Sequence, residues 1–486
     1  MADKKLKVLF VATEVRPFSK SGGLGDVAGS LPRALKAQGV DARVVFPKYG
    51  STSQKYLKNI RYVDSITSNL SWREQGASIY TIAPKDPSDV QVYLVENDYY
   101  FGRDGYYGYG DDFERFAFFS KVSIEFLTKI NFKPDILHFN DWQTGIGCTY
   151  LRDIYRGFTF YKDMKSLFTI HNLRYQGSFG REILWSIGLN DGYYTNGTLE
   201  FFGNVSLLKA GIIHADAVST VSKTYAKEIQ TFDFGYGMDG LLRQRGEHDG
   251  RLFGILNGID MNHNDPSTDP RIFVNYNTAN AVPKKLENKN KLQAVLGLPE
   301  RDVPMVAIIS RLANQKGFDI ISVALDEILS KDIQFVILGT GEGRYEELFR
   351  NYAWRYPDKM SAQITFNDEL AQRIYAGSDI FLMPSIYEPC GLGQMFAMRY
   401  GSIPVVRKTG GLADTVRPFG PESLDANGFV FEDFVASGLM WALNQALAYY
   451  STPHWPLIVK NAMACDFSWD KSAKEYVALY KWLKEE

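Results

Sequence analysis

Short, unbroken apolar runs alternate along this chain with stretches in which apolar residues recur at helical spacing. This is the pattern of strands buried on both faces and joined by helices. The first run, Lys7-Val8-Leu9-Phe10-Val11-Ala12, leads through Ser19-Lys20-Ser21-Gly22-Gly23-Leu24-Gly25-Asp26-Val27 into a helical pattern ending near Gly39. Pro32 lies inside that pattern and, lacking a backbone donor, is expected to kink or restart the helix. Ala42–Pro47 then closes a strand–helix–strand unit. Later runs end at Asn140 and Asp141, at His171 and Asn172, and at Val221 and Ser222, where Ser222 is placed to cap a helix starting at Lys223.

Beyond Asn262 the composition shifts to Asn, Asp, Pro and Thr as far as Thr278, so a boundary between folding units is expected between about Gly250 and Asn262. A helix from Lys284 to Leu296 precedes the strand Val303–Ile309, whose polar end is Ser310-Arg311-Leu312, followed by Gln315-Lys316-Gly317 and a helix from Phe318 to Leu329. The strand ending at Gly339 runs into Thr340-Gly341-Glu342-Gly343, a loop that either admits a ligand or only turns the chain. Asp379–Ser385 leads into Ile386-Tyr387-Glu388-Pro389-Cys390-Gly391-Leu392-Gly393-Gln394 and a helix to Arg399. After Ile403–Val406, the segment Lys408-Thr409-Gly410-Gly411-Leu412-Ala413-Asp414 repeats the Lys-[Ser/Thr]-Gly-Gly-Leu-x-Asp of the first loop. The echo suggests two similar units, each carrying such a loop, with a ligand between them. Asp466-Phe467-Ser468-Trp469-Asp470 has the form of an N-cap box before a last amphipathic helix.

Length and composition narrow the picture. At 486 residues the chain exceeds one core, and roughly 100–200 residues per domain predicts two to four units. Lys and Arg number 54 against 56 Asp and Glu, a balance that argues against nucleic acid or an anionic membrane as the main partner. No apolar stretch approaches the ~18 residues of a spanning helix, and the polar Met1–Lys7 followed by a short strand does not read as a signal peptide. Cys148, Cys390 and Cys465 are too few and too far apart for a disulfide framework or a zinc knuckle, which points to a reducing cytosol. Aromatic residues make up 14% of the chain, and they crowd the stretch from Tyr93 to Phe113. That stretch reads as a loop whose rings either contact carbohydrate or pack against one another.

Candidate chemistry gathers where strands end, the side on which open parallel sheets bind ligands. Gly22 and Gly23 allow close backbone approach, the helix start behind them offers unpaired N–H groups, and Lys20 adds a charge, a combination suited to an anion. The planar fork of Arg311 and the point charge of Lys316 suit a diphosphate. Glu388 is a carboxylate ahead of a helix N-terminus, so one side can order hydroxyls while the other accepts phosphate. Taken alone, His171 is either a satisfied structural residue or a site residue; its place at a strand end favours neither.

On these residues the chain resembles the bacterial glycogen synthases and plant starch synthases over essentially its whole length. The motifs that carry the likeness are Lys20 to Val27, Asp141-Trp142, His171-Asn172, Asn257-Gly258-Ile259-Asp260, Arg311 with Lys316, Glu388 to Leu392, and Lys408 to Asp414. The resemblance implies an α/β fold of two Rossmann-like domains facing each other across a deep cleft, the GT-B type. Residues 1–252 would form the acceptor-side domain, 253–466 the nucleotide-sugar donor side, and 467–486 a helix returning to the first domain. The implied reaction is cytoplasmic transfer of glucose from ADP-glucose, with UDP-glucose as the alternative, to the non-reducing end of an α-1,4-glucan with retention. No cofactor, metal, nucleic-acid or membrane partner is implied; a homo-oligomer stays open.

Carried over residue by residue, Lys20, Arg311 and Lys316 hold the donor diphosphate, and Glu388 orients the donor glucose. The catalytic set is Glu388, His171, Arg311 and Lys316. Asp141, His171 and Asn172 line the glucose pocket, while Gly22, Gly23, Asp26, Asn257, Cys390, Gly391, Leu392 and Gly393 complete the substrate-binding set. Phe366 falls where the family sets an aromatic against the base. Two positions depart from the family: Gly393 replaces a hydroxyl residue, and Asn140 stands where relatives often have His. A glucan phosphorylase would need a lysine for pyridoxal phosphate and a longer chain. A non-catalytic glucan-binding protein would have no need of Glu388, Arg311 and Lys316 together.

Overall fold

The computed structural model describes residues 5–420, 423 and 425–486. The chain divides into two compact units, Met1–Gly258 with Trp469–Glu486, and Ile259–Ser468.

In the first unit the strands are β1 (Lys7–Val11), β2 (Asp41–Pro47), β3 (Ile60–Leu70), β4 (Arg73–Ile82), β5 (Gln91–Glu96), β6 (Ile136–Asn140) and β7 (Lys165–Ile170). Three short strands follow, β8 (Ser178–Phe179), β9 (Glu200–Phe201) and β10 (Asn204–Ser206), then β11 (Ala217–Thr220) and β12 (Leu252–Gly254). Among the described residues the main sheet has the order β12-β11-β7-β6-β1-β2-β5-β4-β3, and β8, β10 and β9 form a separate small sheet. Every pairing from β12 through β5 is parallel, and only the β3–β4–β5 edge is antiparallel. The chain runs from β1 outward to β2 on one side and returns to β6 on the other, which makes the β1/β6 boundary the switch point where such sheets open a crevice.

All five residues of β6 are buried, as an apolar strand covered on both faces must be. Its one imidazole is satisfied inside the core: His138 lies 2.8 Å from Tyr480 Oη and 2.6 Å from Thr169 Oγ1, and burial holds its pKa well below the ordinary value. Tyr480 belongs to the helix Trp469–Glu485, whose Trp469, Ala473, Tyr476, Leu479 and Leu483 pack with Leu24, Val27 and Leu31 in the core of this unit.

The second unit holds β13 (Met305–Ile309), β14 (Gln334–Leu338), β15 (Met360–Gln363), β16 (Ile380–Met383), β17 (Ile403–Arg407) and β18 (Phe429–Phe431). Among the described residues these form an all-parallel sheet in the order β15-β14-β13-β16-β17-β18, a doubly wound arrangement with its switch point between β13 and β16.

Three details differ from the sequence reading. The helix Gly23–Ala37 continues through Pro32; the ring is buried with Leu31, Ala34 and Leu35, and that packing outweighs one missing backbone bond. The division between units falls after Gly258, inside the expected Gly250–Asn262 stretch but past the 252 that the resemblance implied, because β12 pairs with β11 and so belongs to the first sheet. Tyr93 is no loop residue: it lies in β5, with its neighbours Val92 and Leu94 also buried. Beyond it Tyr100 and Phe101 are buried too, Tyr49 packs on Phe101 and Tyr106, and the guanidinium of Arg115 lies among Phe101, Tyr109 and Phe116. Tyr100 and Phe101 thus pack inward, while Tyr99 is exposed and Tyr106, Tyr107 and Tyr109 are half-buried. Among the described residues no helix is long and apolar enough to cross a membrane.

Candidate active site

In the first unit the polar residues that follow β1 and β6 sit at the switch point. After β1 the chain turns so that Glu14, buried, points its carboxylate into the loop before the helix Gly23–Ala37. The amide of Ser21 and that of Gly22 (3.1 Å) donate to its Oε2, and Ser21 Oγ donates to its Oε1 at 2.6 Å. On the outer side Lys20 Nζ lies 2.9 Å from Asp26, which also meets Arg16 at 3.5 Å. Lys20, Gly22, Gly23 and Asp26 therefore form one cluster.

Asp141, Asn140 and His171 form the second. Asp141 has φ 57° and ψ 178°, a backbone conformation that side chains other than glycine rarely adopt and that is typical of strained functional turns. That turn delivers its carboxylate to the end of β7, where His171 N donates to Oδ1 at 2.7 Å. Burial raises the Asp141 pKa to about 7, against the backbone N–H bonds from His171 and Asn172 and with help from the charge of Glu14. Burial also lowers His171 to about 3, so its imidazole is neutral.

Asn140 fixes which nitrogen of His171 carries the hydrogen. Its Nδ2 donates to two carbonyl oxygens, Val11 O and His138 O, each at 3.1 Å. Carbonyls can only accept, so Oδ1 faces His171 Nε2 at 2.9 Å; Nε2 therefore donates and Nδ1 keeps the lone pair. Asn172 Oδ1 accepts from Arg174 N at 3.1 Å. Asn257, after β12 at the other edge of the sheet, is buried with its Oδ1 lacking a partner among the described residues.

The second unit builds its cluster on the ends of β13 and β16. The turn Asn314–Lys316 closes at Gly317, whose φ is +79°, and a Cβ there would lie 1.9 Å from Pro384 O. That close approach lets Ile386 N donate to Gln315 O at 2.8 Å and Gln315 Nε2 to Tyr387 O at 3.2 Å. The two loops are thereby stitched together, and Lys316 Nζ donates to Glu388 Oε2 at 2.6 Å. Ser385 Oγ donates to the same oxygen at 3.0 Å. Both members of the ion pair are largely buried, where breaking one partner leaves a costly lone charge. Arg311, two residues past the end of β13, is exposed and forms no ion pair among the described residues. Gln394 Nε2, in the helix Gly393–Arg399, holds the carbonyls of Cys390 (3.1 Å) and Gly391 (2.8 Å), which fixes the turn ahead of the helix.

Gly339 and Gly341 are required by the protein itself: Cβ atoms there would meet Ser310 O at 1.8 Å and Leu312 O at 2.2 Å. That loop is a turn pinned to the end of β13. Phe366, beyond β15, is 83% exposed and so has a free ring face. Sequence reasoning missed Glu14, Ser385 and the part played by Asn140; the one available signal for Glu14 was its place directly after the first strand.

Two families match the chain: the starch synthase catalytic domain over residues 7–244 and the glycosyl transferases group 1 over residues 288–463. The chain is 46% identical over 479 residues to the glycogen synthase of Clostridium novyi, covering 98% of each. It is 48% identical over 480 residues to that of Desulforamulus reducens, again covering 98% of each. The catalytic domain of starch synthase IV from Arabidopsis thaliana, solved bound to ADP and acarbose, superposes with a TM-score of 0.91 at 34% identity, covering 99% of this chain and 100% of that one.

Proposed function

The chain belongs to the glycogen and starch synthase family of glycosyltransferases, and from that premise we propose that it moves glucose from ADP-glucose to the 4-hydroxyl at the non-reducing end of an α-1,4-glucan, with retention. The observation that carries the reading is the carboxylate of Glu388, held by Lys316 and Ser385 at the β13/β16 switch point. A carboxylate so placed orients the hydroxyls of the donor glucose. Arg311 and Lys316, with Lys20, meet the negative charge that grows on the departing diphosphate as the bond from glucose C1 to phosphate oxygen breaks. Charges set in place before the reaction stabilise that charge without reorganisation.

Retention follows if the acceptor hydroxyl enters on the face the diphosphate leaves, its proton passing to the departing phosphate oxygen as the new C1–O bond forms. His171 is neutral, and so serves as a hydrogen-bond partner of the sugar and not as a charge. Asp141 and Asn172 line the same glucose pocket. Gly22 and Gly23 let the substrate come close to the first loop, Asn257 offers its side-chain amide, and the Cys390–Gly393 turn offers backbone groups. ADP is favoured over UDP because the starch synthase that superposes on the chain was solved with ADP; stacking on Phe366 alone tolerates either base. The test incubates the protein with maltooligosaccharide and each donor, following nucleotide release, chain extension and the anomeric configuration of the first linkage by NMR. Faster extension from UDP-glucose overturns the donor assignment, a β-linkage overturns retention, and no extension from either donor overturns the reading as a whole.

A further inference from the structure

Glu14 has no role in the reaction as proposed above, yet its carboxylate accepts four hydrogen bonds at the first glycine loop. It is 3% exposed and stands just past β1. Its Oε2 takes the amides of Ser21 and Gly22, and its Oε1 takes Ser21 Oγ at 2.6 Å and Tyr107 Oη at 2.7 Å. The phenol's single hydrogen is spent on Glu14, so Thr13 Oγ1, 3.0 Å away, donates to Tyr107. Amides at a helix start are the groups an external anion would otherwise claim. Here the protein fills that seat with its own carboxylate.

The loop's other face is bare. Apart from adjacent residues and the helix's own backbone, no atom among the described residues lies within 4 Å of the place where a Cβ of Gly22 or Gly23 would stand, and Gly22, at φ −153°, is in extended backbone that any residue adopts. Neither protein packing nor backbone geometry calls for glycine at these positions, whereas close approach of a ligand does.

We propose that Glu14 is a positioning residue of the donor-binding loop: an internal anion that fixes Ser21 and Gly22 from within, so that Gly22, Gly23 and Lys20 meet the nucleotide-sugar diphosphate in a preset shape. The proposal rests on the donor reading above. The diphosphate does not displace this carboxylate. Displacement would strand a buried charge without its donors, close enough to Asp141 that its field already helps raise that carboxyl. Through Tyr107 the same carboxylate anchors the aromatic segment that follows β5.

Calorimetric titration of ADP and of UDP into the full-length protein tests this, with melting temperature and donor kinetics measured on each variant. Wild type is expected to bind a nucleotide; binding neither overturns the donor reading and this proposal with it. Glu14→Ala should weaken nucleotide binding about tenfold through loss of preorganisation, raising KM for the donor more than it lowers kcat. Glu14→Gln should retain most of the affinity. Its carbonyl can accept from the two amides, while its NH2 turns to Ser21 Oγ and Tyr107 Oη, both able to accept. Glu14→Asp keeps the charge but not the reach, and should lose affinity even where the Ala variant fails to fold. Nucleotide affinity unchanged or tighter in the Ala or Asp variant overturns the proposal, as does failure of Gln to rescue. A lowered melting temperature with unaltered nucleotide affinity marks Glu14 as merely structural and overturns it too.

Discussion

In the first unit, the glycines of Lys20-Ser21-Gly22-Gly23-Leu24 border open space. In the second, Cβ atoms at Gly410 and Gly411 of Lys408-Thr409-Gly410-Gly411-Leu412 would stand 1.9 Å from the carbonyl oxygens of Glu388 and Cys390. Gly411 N also donates to Glu388 O at 3.1 Å. The lysines diverge in step: Lys20 reaches Asp26 in the first turn of its own helix, and Lys408 pairs with Glu432 at the surface. One loop presents its glycines outward; the other spends them on letting a second backbone close in, and what that backbone carries is Glu388. Nearly identical letters thus leave the glycines open in one unit and, in the other, set them beneath the backbone of Glu388, the carboxylate proposed above to orient the donor glucose.

The largest effect that would sharpen this contrast is expected from alanine at the paired glycines. Gly410→Ala or Gly411→Ala should cost about 1–3 kcal/mol or more by overpacking against backbone, and should lower turnover because the turn bearing Glu388 shifts. Gly22→Ala or Gly23→Ala should leave the melting temperature intact and weaken only donor use. Thermal melts beside donor kinetics decide it; a stable Gly410→Ala variant, or an unfolded Gly22→Ala variant, breaks the comparison.

Next in size, Lys20→Ala should lower kcat/KM for the donor by about 1.5–3 kcal/mol, the worth of a charge-assisted bond to phosphate, with the fold unchanged. Full activity in that variant would remove the ligand from the first loop.

A smaller effect concerns pH, since the first loop's carboxylate lies in the field of Asp141. Asp141 is raised to about 7 in the fold, so between its ordinary pKa near 4 and pH 7 the native state holds a proton that the unfolded chain has lost. That contribution to stability is full below pH 4 and declines as pH rises to about 7. His171, lowered to about 3, acts in the opposite sense: its contribution is lost as pH falls from about 6.5 to 3. The two slopes oppose one another in wild type. Asp141→Asn should therefore gain stability relative to wild type as pH rises from 4 to 7, measured by denaturant unfolding across that range; a flat difference would mean Asp141 is ionised throughout. Smallest of all, Lys408→Ala should alter neither melting temperature nor kinetics, because both ends of its ion pair are exposed. A donor defect there would return a ligand to the second loop.

The strands and most helices were legible because their signals are local: an apolar run, a glycine turn, Ser222 Oγ accepting from Tyr225 N as a cap. What escaped depends on partners distant in the chain. Glu14 is tied across the chain to Tyr107, Asn140 owes its role to His171, and the tight glycines of the second loop owe theirs to Glu388 and Cys390, and no periodicity encodes such pairs. The aromatic segment stayed undecided for a related reason, as the packing of Arg115 and Tyr49 against its rings involves partners outside the segment. The acidic and basic residues of the candidate site were found by type and strand-end position; that Lys316 touches Glu388 could be seen only once Gly317 had brought the two loops together.

The first unit is discontinuous, completed only by Trp469–Glu485, while the second is one uninterrupted length of chain. On a ribosome the order of assembly is therefore inverted. Residues 259–468 have all their sequence before the unit that began emerging first can bury Leu24, Leu31 and His138 beneath Tyr476 and Tyr480. Until the last residues are released, the earlier-made part waits with an apolar groove open, and a premature stop even near the end would leave that groove uncovered while sparing every residue assigned to substrate. Loss of the final helix should thus appear in the cell as aggregation or degradation, and not as a soluble protein with a damaged active site.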